Sequence, residues 1–509
     1  MGLLWITLAG GCRCAPEPFV QAGGVPLPHV DPVVQKWFGE SMDRSDAHWN
    51  ETAGLMGTNG YFPIRENAYY AAGLLFRSAS GDVARADVIL EKILAAQYRQ
   101  AGKEYDGTFR RTPDEQPPAK ARPWHHFDPN WREYVGTTLI LILEEFGPRL
   151  SKERTTAIRE AIRLAGEGAF IRHVKPDYTN IAIMSALLLD VAGEWNGKAE
   201  WRERGELLSR SIYDAFLRHQ AFPEYNSPTY YGVDLYGLSM SRRYAASPAI
   251  AQRGADMETA LWKDIARFYH AGLKNMCGPY DRAYGMNMQE YESLVGMWIA
   301  LIVPEREAPL PGPPMPVFKP RIGAELDFLT LPMYAIVGTR VPAGITNAFT
   351  RFEGTRQLSR TIADSPRRVA TSWMNAQVMM GGEYTSGRGE RPFLNQLHPA
   401  TIHWKTPSGR IGWIRLRATA PIDAEAKEGV LFVRFHGGKS NRTAVFDISV
   451  PEPQESLILG ETWNLPGLPI MVRTDATGPT VKRVNDRLEV RYTSVEKQGN
   501  GLTIQLRVQ

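Results

Sequence analysis

Cysteine is scarce in this chain. There are three in 509 residues, and two of them, Cys12 and Cys14, sit at the extreme N-terminus. Only Cys277 lies in the body, which excludes a disulfide framework and a Cys-rich zinc site. Charge of one sign is also in short supply. A net charge of +4 tolerates an anionic substrate, but no block of Lys or Arg resembles a nucleic-acid-binding arm. His-Glu-x-x-His does not occur, and His125 and His126 are adjacent, not helically spaced. His398 and His403 would need a third ligand to hold zinc; as sheet or interdomain histidines they need none. There is no phosphate loop and no dinucleotide fingerprint, and the glycine pair of Phe435-His-Gly-Gly438 reads as a strand turn. No cofactor is expected; a structural divalent metal is left open and no ligands are assigned to one.

Long apolar runs are missing too. The first residues, Met1 to Cys12, are apolar but too short to span a bilayer, and they lack a basic start. Residues 1–27 read as an export-signal-like segment. Cys12 after Leu-Ala-Gly-Gly loosely matches a lipoprotein cleavage site. A secreted or periplasmic protein is expected, with a lipid anchor as a variant and no transmembrane segment. A misassigned start or a frayed terminus is the plainer alternative.

What is present is ordinary soluble composition, 43% hydrophobic and 22% charged, in a chain too long for one core. Residues 28–303 read as helices, with apolar positions recurring at three and four. Helices starting near Glu66, Asn130, Thr179, Pro228 and Met288 are apolar around much of their circumference. Charged, amphipathic helices starting near Asp82, Ser151, Lys198 and Met257 alternate with them. The repeat is roughly 50 to 65 residues, the pattern of stacked helical hairpins. Five hairpins, or six with the segment from Asp31 to Met42, predict an (α/α) toroid, closed or nearly so. Residues 304–324 are Pro-rich and read as a linker. From 325 to 509 the period drops to two, over short β-rich runs such as Met333–Val337, Ala400–Trp404 and Val430–Phe435. With no helical crossovers, this predicts an antiparallel β-sandwich of about a dozen strands.

In a hairpin ring, the loops that lead into inner helices open on one face. Those loops carry the unusual residues: Thr58 to Tyr61, Trp124 to Trp131, Asp177 to Asn180, Glu224 to Tyr231 and Tyr280 to Asn287. Aromatic rings suit sugar faces and amides suit hydroxyls, so the mouth reads as carbohydrate-binding. The fourth loop is central. Ser227 can cap the next helix, and Pro228 suits its first position. Tyr231 then shares a stripe with Leu235 and Leu238, whereas Tyr230 shares one with Asp234 and Gly237. A phenol on the polar stripe is placed for acid–base work; the bland alternative is that both tyrosines pack.

The architecture, with Asn and Tyr at inner-helix entrances, resembles the polysaccharide lyases of the alginate-lyase, chondroitin-lyase and heparinase-like type. Glu224-Tyr-Asn-Ser-Pro-Thr-Tyr-Tyr-Gly, with Tyr178-Thr-Asn180 upstream, is similar to polysaccharide lyase family 38, which acts on β-1,4-linked uronans. One departure is Ile181, where the alginate lyases place a His after the Asn.

The resemblance implies β-elimination on an acidic polysaccharide of the alginate or glucuronan kind, and no redox cofactor. The uronate carboxylate must be neutralised before C5 can lose its proton. Asn180 is the candidate for that, helped by His125 or Arg282. Tyr230 is the acid or base, with a nearby cation needed to lower a phenol from ~10, and His126 is the candidate base for protons leaving opposite faces. Asn130, Trp131, Tyr178, Glu224, Asn226, Tyr231, Tyr284 and Asn287 are expected to line the substrate site. The plainer readings are an Asn180 that caps its helix and histidines that hold the long loop. Two other function classes stay open. One is a glycoside hydrolase using a carboxylate pair from Asp128, Glu133, Asp177, Glu224 and Asp234. The other is a catalytically silent glycan-binding protein.

Overall fold

The structure is a computed structural model that describes residues 31–312, 324–385, 396–417, 422–435, 443–493 and 503–509. The export-signal-like segment, most of the Pro-rich linker and the Gly-Gly turn after Phe435 lie outside those residues.

Helices dominate the first part: α1 (Pro32–Ala47), α2 (Ile64–Arg77), α3 (Asp82–Ala95), α4 (Trp131–Phe146), α5 (Lys152–Arg172), α6 (Thr179–Trp195), α7 (Ala199–His219), α8 (Tyr230–Tyr244), α9 (Pro248–Phe268), α10 (Leu294–Ala300) and α11 (Leu331–Val337). Helices α4, α6 and α8 are buried nearly all round, as their composition requires. Helix α7 buries only a stripe, Trp201, Gly205, Leu208, Ile212 and Phe216. Inner helices α2, α4, α6, α8 and α10 follow one another side by side, and α3, α5, α7 and α9 back them from outside. Inner helices approach closely at Gly232, where a Cβ would lie 2.4 Å from Leu294 Cβ. The Trp298 indole donates to the Gly232 carbonyl across the same contact at 2.8 Å.

Three expectations need correction. The run Met333–Val337 is helix, not strand, and belongs to the ring: α11 packs on α1, α2 and α8. Every residue of this run is apolar, so its periodicity could not separate a buried strand from a buried helix, and Pro332 sits comfortably in a first helical turn. The first strand of the large sheets accordingly begins at Arg356, not near 325. Second, α9 starts at Pro248, well before Met257, because the Ser247 hydroxyl accepts from the Ile250 amide and caps it. Third, the last inner helix, α10, is only seven residues long, and among the described residues no outer helix follows it. A 3-10 turn (Ala324–Thr330) and α11 fill the ring's remaining gap.

The second part is two antiparallel sheets. Edge to edge, the eight-stranded one runs Thr477–Val484, Arg487–Thr493, Thr443–Ser449, Ile411–Leu416, Ala400–Lys405, Val378–Tyr384, Arg367–Met374 and Arg356–Asp364. The six-stranded one runs Ile422–Lys427, Val430–Phe435, Thr503–Val508, Leu468–Thr474, Thr462–Leu465 and Ile458–Leu459. Their facing sides share a core that includes Trp404, Phe446 and Trp463. The fold is therefore an incomplete (α/α) toroid followed by an antiparallel β-sandwich. No helix among the described residues is long and apolar enough to cross a membrane.

The two parts meet along the loop from Cys277 to Asn287. Tyr280 and His398 exchange backbone hydrogen bonds of 3.1 and 2.9 Å. Ser372 Oγ donates to the Gly278 carbonyl at 2.6 Å. Gly381 lies so near this loop that a Cβ would fall 1.9 Å from Gly278 O, so only glycine fits.

Candidate active site

The site grows from the start of α8. Its regular turns begin at Tyr230, two residues later than Pro228 suggested, but Ser227 does cap it: Ser227 Oγ accepts from the Tyr230 amide at 2.8 Å. The same hydroxyl donates to the Arg282 carbonyl, so one side chain ties the helix start to the opposing loop. Asn226 allows this by taking a left-handed φ of 51°.

Arg282 is the hub. Its guanidinium lies 3.6 Å from the centre of the Tyr230 ring and donates to the Tyr230 hydroxyl. It also pairs with Glu224, and its Nε donates to Gln396 Oε1 at 3.0 Å. The Tyr230 and Tyr284 hydroxyls are 2.6 Å apart. Tyr284 is 47% exposed and Tyr230 8%, so the pair leads from solvent to the buried cation. Asn180 joins from below: its backbone hydrogen-bonds the Glu224 carboxylate, and its own buried Oδ1 has no partner.

Burial decides the protonation states. It raises the Tyr230 phenol well above its ordinary value, Tyr284 adds to the rise, and Arg282 pulls back by less. Tyr230 therefore rests protonated, against the expectation that a cation would lower it. Burial likewise raises Glu224 against the opposing pull of Arg282. Asp234, one turn along α8, is driven up by burial and by Glu224, and neither of its oxygens has a partner. It is wholly enclosed, so it and Glu224 do not form a pair of carboxylates facing a sugar.

A second group adjoins the first. Asn130 Nδ2 donates to the Tyr178 hydroxyl at 2.9 Å, and Arg172 holds Asn130 Oδ1 at 2.7 Å and Glu133 at 3.1 Å. Burial raises the Tyr178 phenol, and among the weaker influences on it are the charges of Arg282 and Glu224. Trp131 lies under the Arg65 guanidinium, 4.7 Å from its ring centre.

Several residues singled out in the sequence do other work. The Asn226 amide is fully buried and donates to the Cys277 and Pro279 carbonyls at 2.6 and 3.0 Å. Asn287 Oδ1 accepts from Asn275 and from the Gln289 amide, so it braces its own loop. Tyr231 is wholly buried, edge-on to Phe222, as its apolar stripe implied. His126 Nδ1 accepts from the Arg122 amide at 3.0 Å and stacks on His125, which keeps both rings engaged within their own loop. His398 and His403 donate to the Ala283 and Met286 carbonyls at 3.3 and 2.7 Å. Burial pushes them down to about 3 and about 4, so both are neutral braces of the Arg282 loop. Among the described residues, no cluster of three His, Cys, Asp or Glu could hold a metal ion.

Gln396, Arg65 and Asp327 were not anticipated. Gln396 comes from the second domain, 114 residues from Arg282 along the chain, and no local motif marks it.

Residues 35–338 match the family model described as Domain of unknown function (DUF8769), and residues 354–495 match Domain of unknown function (DUF8770). No curated protein matches the chain. Similar solved structures include a mutant of the Streptomyces coelicolor A3 chondroitin AC lyase, with 12% identity, 94% of this chain and 80% of that chain covered, and a TM-score of 0.42. A heparinase III gene product with methylated lysines gives 9% identity, 94% and 84% coverage and a TM-score of 0.34. A GH127 beta-arabinofuranosidase gives 11%, 94% and 77%, and 0.28. Likenesses this distant carry nothing about substrate or reaction. The first family match takes in more than half of the chain, and the protein belongs to the DUF8769 domain family.

Proposed function

We propose that the protein is a polysaccharide lyase that cleaves an acidic, uronic-acid-containing polysaccharide by β-elimination. The observation that carries the reading is the Tyr230 phenol, protonated, held by Arg282 and hydrogen-bonded to the half-exposed Tyr284.

Elimination needs three things at once: a neutralised carboxylate, a base at C5 and an acid at O4. A resting phenol that is neutral is a proton donor, so Tyr230 is assigned as the acid that protonates the leaving O4. Tyr284 touches it and reaches solvent, and is assigned as the base in place of His126, which its own loop occupies. It first gives its own proton to solvent, then takes the C5 proton as a phenolate, and afterwards passes a proton across the hydrogen bond to recharge Tyr230. Arg282 steadies the charge shared by the two phenols. Asn180, buried beside Glu224, is assigned to the uronate carboxylate, to which its side-chain amide NH2 donates. The C4–O4 bond breaks, a C4=C5 double bond forms, and no redox cofactor takes part.

A screen of alginate, glucuronan and other acidic polysaccharides tests this by ultraviolet absorbance, because only elimination creates the absorbing double bond. We expect absorbance and new reducing ends to rise together. Reducing ends without absorbance, abolished by Asp128→Asn or Glu224→Gln, would make the protein a hydrolase. Binding without any product would make it a silent glycan binder.

A further inference from the structure

We propose that the cavity beyond Tyr230 is a blind subsite for one terminal sugar residue, so that the enzyme works from chain ends. This rests on the lyase reading of the same site for its chemistry, but not for its geometry.

The cavity lies inside the ring. Tyr69 and Tyr134 line one side and Tyr230 and Val233 the other, while Asp327 and Tyr334 lie toward the ring-closing segment. Exposure falls from 47% at Tyr284 to 8% at Tyr230 and 1% at Tyr334, so among the described residues the lining opens at Tyr284 and is closed at Tyr334. The floor is sealed. Tyr334 stacks on buried Trp298 with ring centres 4.2 Å apart, and the ring of buried Tyr236, which also lines the cavity, is centred 6.1 Å from that of Tyr334. The segment that seals it is the 3-10 turn and α11, the piece that occupies the ring's last gap in place of a full hairpin.

Size and chemistry point the same way. The cavity offers about 80 Å³ to the centres of water molecules. At roughly 10–15 Å³ each, that is room for about six waters, the displacement of one sugar ring and not of two. Phenol rings supply faces for the ring and hydroxyls for its oxygens. The charges inside are balanced: Arg65 pairs with Glu66 at 2.5 Å, and burial pushes the Asp327 carboxyl up to about 7, so it can donate as well as accept. A polymer cannot thread a sealed floor; only its end can enter.

The test compares solution viscosity with reducing ends released as the intact protein degrades alginate or glucuronan. We expect small products from the first turnovers, with viscosity falling only in proportion to mass released. Val233→Phe narrows the subsite without touching the Tyr230–Arg282 contact and should slow turnover roughly tenfold or more, the cost of mis-sizing a pocket. A collapse of viscosity at the first few per cent of bonds cut would overturn the proposal, as would unchanged turnover in a folded Val233→Phe. Ends released without ultraviolet absorbance would remove the lyase reading, yet the viscosity comparison would still decide chain-end action. Failure to depolymerise any acidic polysaccharide would overturn both.

Discussion

At the residue scale, Tyr230 and Tyr231 separate cleanly. They are neighbours in sequence, yet one hydroxyl meets Arg282 and Tyr284 and the other is sealed in the core. Tyr230→Phe keeps the ring and its stacking and removes the proton. In the absorbance assay we expect it to lose at least the ~10²–10⁴-fold of acid–base catalysis, in kcat more than KM. Tyr231→Phe should lose far less, and the reverse order would move the chemistry to the other helix face. Asp327 makes a different prediction. Its folded-state value, about 7, lies above the ordinary aspartate value of 3.8. The folded protein therefore holds this proton more tightly than the unfolded chain. That contribution to stability is present in full below about pH 4 and is lost as pH rises through about 7. Asp327→Asn should flatten the fall of Tm across that window and be the more stable protein at about pH 8. An unchanged slope would show that Asp327 does not titrate there.

At the scale of elements, the first turn of α8 and the loop from Cys277 to Asn287 make one unit. Ser227 joins them, since its hydroxyl caps the helix and grips the Arg282 backbone. Ser227→Ala should cost about 1 kcal/mol for the lost cap. It should also lower kcat, because Arg282 loses an anchor; a thermal shift with full activity would mean the anchor is dispensable. The cap was legible in the sequence because Ser-Pro before an apolar run is a local signal. The short helix α11 was not, because seven apolar residues fit either period until α1, α2 and α8 are seen around them.

At the scale of the molecule, the second domain helps to build the first domain's site. Gln396 holds Arg282, and the strand Arg367–Met374 delivers Arg368 between two buried carboxyls. Arg368 meets Asp281 at 2.5 Å and Glu383 at 2.6 Å, and Asp281 is the residue before Arg282. Burial raises Asp281, so its partner cation is what keeps the pair tolerable. Arg368→Ala removes the cation that both carboxyls share and should destabilise by roughly 3–5 kcal/mol. We expect turnover to fall with it and Arg368→Lys to restore part of both. Calorimetry and the absorbance assay on the same samples would decide; full activity in a destabilised Arg368→Ala would separate the interface from the site.

The alternation of buried and half-exposed helices, the change of period after the Pro-rich run and the place of Tyr230 at a helix entrance were set by the sequence alone. Each is a local property of side-chain spacing, and spacing survives without coordinates. Tertiary structure decided the rest. The protonation of Tyr230 depends on how much water the surrounding helices exclude, and that burial outweighs the cation it sits against. Asn226 and Asn287 looked like ligand contacts, but folding brings backbone carbonyls and amides to them first, and His398 and His403 turn out to brace an interdomain loop. Gln396 reaches Arg282, and α11 seals the ring, only because distant segments meet. Contacts of that kind leave no period and no motif in the chain.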